Sequence, residues 1–189
     1  KTTFSLFMGF DSYHIADTIV YDVNPFFLTA KNTSLFTPRM GCKLMYENRD
    51  YFFYPTKGNY VSISTEWLPL SSVTNIDIFS ITTETKEYLH LIKNAVLAFS
   101  FKSKFILGKD IPYIYSASLG YREQVRGFEH FLITGNRYIL INSEIRTPVL
   151  IKSFTFKNAK PKQFNQIPFQ ISLKALFDAG YVNNSNNFQ

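Results

Sequence analysis

The 189-residue chain has few side chains of the types that make and break bonds, and those few are scattered. His14, His90 and His130 stand apart, with no His-x-x-x-His spacing and no second cysteine to complete a ligand set, so no metal site is expected. Cys42 sits with Met40 and Leu44 on the apolar face of an alternating segment, which marks a buried or lipid-facing thiol and not a nucleophile. The chain contains neither a nucleophile elbow nor a phosphate-binding P-loop. The groups with the most chemical reach are charged. Arg126 offers a planar fork of donors that pairs bidentately with carboxylates. Asp178 shares the polar face of its segment with Gln170, Ser172 and Lys174, and Glu144 shares the polar face of the preceding segment with Asn142 and Arg146. No catalytic step and no cofactor are expected.

The elements that must position these groups read as strands. Alternation of apolar and polar residues is the dominant pattern, and helical periodicity is scarce. In Asn59–Trp67, Val61, Ile63, Thr65 and Trp67 oppose Tyr60, Ser62, Ser64 and Glu66. Arg39–Glu47, Asn136–Arg146 and Phe169–Tyr181 alternate in the same way. Thr3–Phe10, Thr18–Val23, Glu87–Phe101 and Lys104–Ser118 are further candidates, for about eight strands in all. Lys93 interrupts an apolar face and predicts a bulge or register break. Pro55-Thr56-Lys57-Gly58 is a tight turn, Thr147-Pro148 closes a strand, and Ser71–Lys86 and Gly120–Gly135 read as long polar loops.

Composition narrows the class. Aromatics reach 17%, with 20 Phe and 12 Tyr, while charged residues are only 18% and the net charge is +6. The chain is too apolar for a disordered segment. It has no run of the ~18–20 apolar residues that a membrane helix needs. Its lysines and arginines are dispersed, with Lys160-Pro161-Lys162 the densest spot, so nucleic-acid binding is not expected. Two β classes remain, a soluble sandwich and a membrane barrel. Strands that approach the ~9–11 residues of a tilted membrane strand, with short turns alternating with long loops, favour the barrel.

Four local patterns then fall in order. They are Tyr46-Glu47-Asn48-Arg49-Asp50 followed by Pro55-Thr56-Lys57-Gly58; Leu119-Gly120 followed by Val125-Arg126-Gly127-Phe128; Gly135-Asn136 followed by Glu144-Ile145-Arg146-Thr147-Pro148; and Leu176-Phe177-Asp178-Ala179-Gly180. Together they resemble the C-terminal barrel of the bacterial surface antigen family, the superfamily of BamA/TamA-type outer-membrane assembly and translocation proteins. The resemblance runs from about Arg39 to Tyr181. It departs from the family where a Gly-Gly pair usually precedes the Val-Arg-Gly-Phe motif.

The resemblance implies a transmembrane antiparallel β-barrel, here about eight strands of roughly sixteen. Residues 1–189 are then a partial outer-membrane barrel domain, with N-terminal periplasmic modules and the closing strands outside the chain. The opening without a methionine and the asparagine-rich end Asn183–Asn187 fit an internal piece. The resemblance also implies that a loop carrying Val125, Arg126, Gly127 and Phe128 folds back into the lumen. There Arg126 would reach Asp178 and Glu144, and Gly127 would let the backbone pack closely at the tip. Arg49, Asp50, Pro55 and Gly58 would form a turn motif. The implied function is insertion or translocation of polypeptide at the outer membrane, with membrane lipid, polypeptide substrates and assembly lipoproteins or other membrane proteins as partners. The alternatives are a secretion pore or enzyme-fused translocator of the same superfamily, a passive structural barrel, and a soluble sandwich.

Overall fold

The computed structural model describes residues 1–28, 32–69, 77–91, 95–109, 111–120, 122–155 and 165–184. Its strands are rich in β-branched and aromatic residues, which suit a pleated surface. They are β1 (Thr2–His14), β2 (Ser34–Glu47), β3 (Gly58–Pro69), β4 (Asp77–His90), β5 (Val96–Leu107), β6 (Ala117–Leu119), β7 (Ile133–Gly135), β8 (Arg137–Thr155) and β9 (Gln166–Asn183). Seven of them form one antiparallel meander in the order β1-β2-β3-β4-β5-β8-β9, and β6 pairs with β7 in a small hairpin.

Directly paired antiparallel residues lie on the same face, so the register sorts the side chains. One face carries Leu6 and Met8 of β1, Leu44 of β2, Trp67 of β3, Phe99 of β5 and Leu173 of β9. This outer face is apolar yet uncovered: Leu6 is 75% and Met8 87% exposed. A soluble domain rarely leaves so large an apolar surface open, whereas a barrel wall turns that surface to lipid. The opposite, inner face holds most of the charge within the strands, including Arg39, Glu66, Glu84, Lys86, Lys102 and Asp178. The outward-facing strand charges Asp77, Glu87, Arg137 and Lys152 all lie within four residues of a strand end.

The strands are also staggered. A single line of paired inner residues runs Glu47, Tyr60, Lys86, Ser100, Asn142, Asp178. On β2 it meets the last residue of the strand, and on β9 it lies twelve residues past the first. A steady offset of this kind is the shear of tilted barrel strands. The sheet is a segment of a barrel wall.

The inner face is not uniformly polar. At the end where the long connections 15–33 and 108–136 lie, it is filled by an apolar core. Leu28, Leu35, Ile78, Ile111, Leu119 and Leu140 pack there, nearly all shielded from solvent. The two connections are stitched together by the Tyr113 N–H to Phe26 O and Ile114 N–H to Phe27 O bonds, both 3.1 Å.

Several elements differ from the sequence expectation. Thr18–Val23 is not a strand: Ile19–Val23 forms a π-helical turn that buries Val20 in the loop packing. Ser71–Lys86 is not a loop throughout, because β4 begins at Asp77. Its Thr82, Thr83 and Thr85 are polar but β-branched and fit a strand with one wet face. Glu87–Phe101 is two strands joined at a turn closed by the Leu91 N–H to Ala95 O bond of 2.6 Å. The break expected at Lys93, like Lys160–Lys162 and part of Asn183–Asn187, lies outside the described residues. Lys104–Ser118 spans the end of β5, a 3₁₀ turn at Tyr113–Tyr115 and most of β6. Nor does Thr147-Pro148 end its strand. β8 runs on to Thr155 through an irregularity between Pro148 and Leu150, just beyond Arg146, its last partner on the β5 side. A bulge and a free edge are where a strand proline is tolerated.

Candidate functional site

The inner face offers its charged groups from two directions. At the loop end, the connection between β5 and β8 turns back over the sheet. Gly120 N–H donates to Glu123 O at 2.7 Å, and Glu123 pairs with Lys102 of β5. Val125 enters the edge of the apolar core. Its Cγ2 and the Cδ1 of Leu119 would each lie 2.8 Å from a Cβ at Gly180, so the loop rests on the one β9 position with no side chain.

That seating delivers Arg126. Its Nε donates to Asp178 Oδ2 at 2.7 Å and its Nη2 to Asp178 Oδ1 at 2.5 Å, a side-on fork. Nη1 donates to Glu144 Oε2 at 3.2 Å, Nη2 also reaches Ser143 O, and the Arg126 backbone N–H donates to Asp178 Oδ2 at 2.9 Å. The Asp178 side chain is only 5% exposed, so this guanidinium is its counter-charge in a largely dry setting. The hydrogen bond to Asp178 raises the Arg126 pKa further above its usual value.

The other loop residues divide. Phe128 is exposed, its ring 5.9 Å from that of Phe131. Gly127 does not pack closely: a Cβ there would meet nothing within 4 Å. The position favours glycine through its φ of +91°, which an L side chain rarely adopts. The Gly127 N–H donates to Glu129 Oε1, which lowers the Glu129 pKa.

At the opposite, turn end, the β2–β3 connection carries Arg49, Asp50 and Pro55 into Gly58. Arg49 forks onto Glu47, with Nε to Oε1 and Nη2 to Oε2 both at 2.6 Å, and its guanidinium lies 4.9 Å from the Tyr60 ring centroid. The Glu47 bond raises the Arg49 pKa above its usual value. Asp50 accepts the N–H groups of Tyr51 and Thr56, both at 2.9 Å, and the Thr56 hydroxyl. Burial alone would raise the Asp50 carboxyl, but these bonds outweigh it and hold the group well below the usual carboxylate range. Gly58 has φ of +99°, and a Cβ there would lie 2.1 Å from Asn48 O.

This turn does not point away from the sheet. It folds across the inner face so that Tyr54 covers Arg146 of β8, with the guanidinium 3.9 Å from the ring centroid and Lys174 Nζ of β9 at 5.7 Å. Arg146 also reaches Glu144, on its Oε1 at 3.5 Å, so Glu144 is shared between two arginines. The sequence gives Arg146 a place on the polar face, but the run Tyr51-Phe52-Phe53-Tyr54 carries no periodicity that would predict its landing on β8 and β9. No cluster of metal-ligating side chains occurs among the described residues.

Comparison with known families gives one result. The Omp85 superfamily domain matches residues 17–188. A search of curated proteins finds no match.

Proposed function

The chain belongs to the Omp85 superfamily, whose members are outer-membrane β-barrels, and from that premise we propose that it serves a barrel that inserts polypeptide into the outer membrane or passes it across. One observation carries the reading: the long β5–β8 connection is held inside the wall by Arg126, forked onto Asp178 and bonded to Glu144. A loop so anchored braces the inner side of the wall. A barrel that must change shape around a passing chain gains from a fixed internal strut beside a movable wall. The outer face contacts membrane lipid, polypeptides are the substrates, and lipoproteins or other membrane proteins are the natural associates. The reading assigns no catalytic step, nucleotide or metal to these residues, and nucleic acid has no part in it.

The test is made in cells carrying the full-length protein. Replacing Arg126→Ala, or Arg126→Lys to keep the charge but lose the fork, is expected to lower folded outer-membrane barrels or exported polypeptides severalfold. Quantitative proteomics of membrane and medium reads both. Depletion of the whole protein with no change in either fraction overturns the proposal.

A further inference from the structure

Three arginines on the inner side present the same chemistry and differ in one respect. Arg49 fills its Nε and Nη2 edge with the Glu47 carboxylate. Arg126 fills the same edge with the Asp178 carboxylate. Arg146 differs: its Nε and Nη2 are buried and find no hydrogen-bond acceptor among the described residues, and the residue is only 5% exposed. Only its Nη1 is engaged, at 3.5 Å from Glu144. A buried guanidinium with two unanswered donors calls for a partner. The Nε and Nη2 edge is the one whose two parallel N–H groups match the two oxygens of a carboxylate.

Resting on the reading above that polypeptides are the substrates, we propose that the Nε and Nη2 edge of Arg146 is a binding site for a carboxylate carried by a polypeptide segment that enters from the turn end. Two cavities, of about 430 and about 220 Å³, both reach Tyr54 and Arg146. The smaller is bordered by His90, Ile151 and Gln170, the larger by Arg126, Glu144 and Lys174. Lys174 is the direct cross-strand partner of Arg146 on the same face, so a second cation stands beside the fork. Tyr54 stacks on the guanidinium from a turn and not from the sheet, so the cover on this side of the site can shift without disturbing a strand. A carboxylate is favoured over a phosphate because the site is a single planar fork, with no cluster of backbone N–H groups among the described residues lining it to satisfy a tetrahedral anion. An acidic side chain and a free carboxylate share this chemistry, and the assay separates them.

The full-length protein in detergent micelles is titrated with an end-capped fluorescent pentapeptide whose only charged group is one glutamate, and with its uncharged glutamine twin. Fluorescence anisotropy reads the affinities. The glutamate peptide is expected to bind about tenfold tighter or better. Arg146→Lys, which keeps the charge but not the fork, removes the preference, while Arg39→Gln elsewhere on the inner face retains it. Acetate is expected to compete only weakly, as a free carboxylate without the peptide. Equal binding of the twins, a preference that survives Arg146→Lys or disappears in Arg39→Gln, acetate as effective as the peptide, or phosphate displacing the peptide at a lower concentration than acetate each overturns the proposal. If Arg146→Lys loses the heat-modifiable gel mobility of a folded barrel, Lys174→Gln takes its place. It is expected to reduce the preference severalfold, and an unchanged preference is equally fatal.

Discussion

The two ends of the inner face are both covered, by opposite means. At the loop end the cover is apolar: Leu119 and Val125 press onto Gly180 beside a buried core, and a single arginine is fully answered by carboxylates. At the turn end the cover is polar and aromatic: Tyr54 over Arg146, Phe52 and Tyr60 beside Arg49, and Phe53 93% exposed. Apolar burial involves no charge and is not weakened by ionic screening, whereas a ring stacked on a guanidinium holds through a single contact worth about 0.5–2 kcal/mol. The same inner face is therefore covered by apolar packing at one end and by stacked and paired side chains at the other.

That contrast can be broken or sharpened by substitution, each variant being made in the full-length protein. The largest effect is expected for Arg126→Ala, which strips a nearly buried carboxylate of its counter-charge; because Arg126 itself is a third exposed, the cost falls at the low end for such pairs, roughly 3 kcal/mol. A drop in the denaturant midpoint, followed by heat-modifiable gel mobility, checks it. Gly180→Val comes next, because its methyls enter space already held by Leu119 and Val125. The cost is about 1–3 kcal/mol of overpacking, seen as new protease cuts within residues 108–136 and not in residues 48–57. The turn end should respond less. Tyr54→Leu loses the stacked guanidinium, about 0.5–2 kcal/mol, and is expected to raise proteolysis of residues 48–57 while the loop end keeps its protection. Equal loosening at both ends would refute the contrast.

The smallest effect concerns Asp50. Because its folded-state carboxyl is held below the usual range, its contribution is complete above the ordinary carboxylate pKa near ~4 and is lost as the pH falls towards the folded value. Asp50→Asn is expected to cost about 0.5–1 kcal/mol at neutral pH and to flatten the acid dependence of protease protection in the turn. An unaltered acid profile would show that Asp50 does not hold it.

Much of this was legible in the alternation itself. Residues such as Val61, Ile63 and Trp67 against Tyr60, Ser62 and Glu66 separate into two faces because a strand has a period of two, whatever lies around it. What that pattern could not carry was where a strand stops. Thr82–Lys86 look like loop by polarity, and their pairing with β3 on one side and β5 on the other makes them strand. Thr147-Pro148 looks like a stop, and only the early end of β5 and the bulge let β8 continue.

The site divides along the same line. Residue type alone made Arg126 a fork for carboxylates, because donor geometry belongs to the side chain, and the family resemblance pointed it at Glu144 and Asp178. The tertiary structure decided which arginines are answered. Arg126 and Asp178 are 52 positions apart, and Tyr54 reaches Arg146 from another part of the chain entirely. Contacts between such distant residues depend on the register and stagger of the sheet and the paths of its loops, and on no local propensity of the residues that meet.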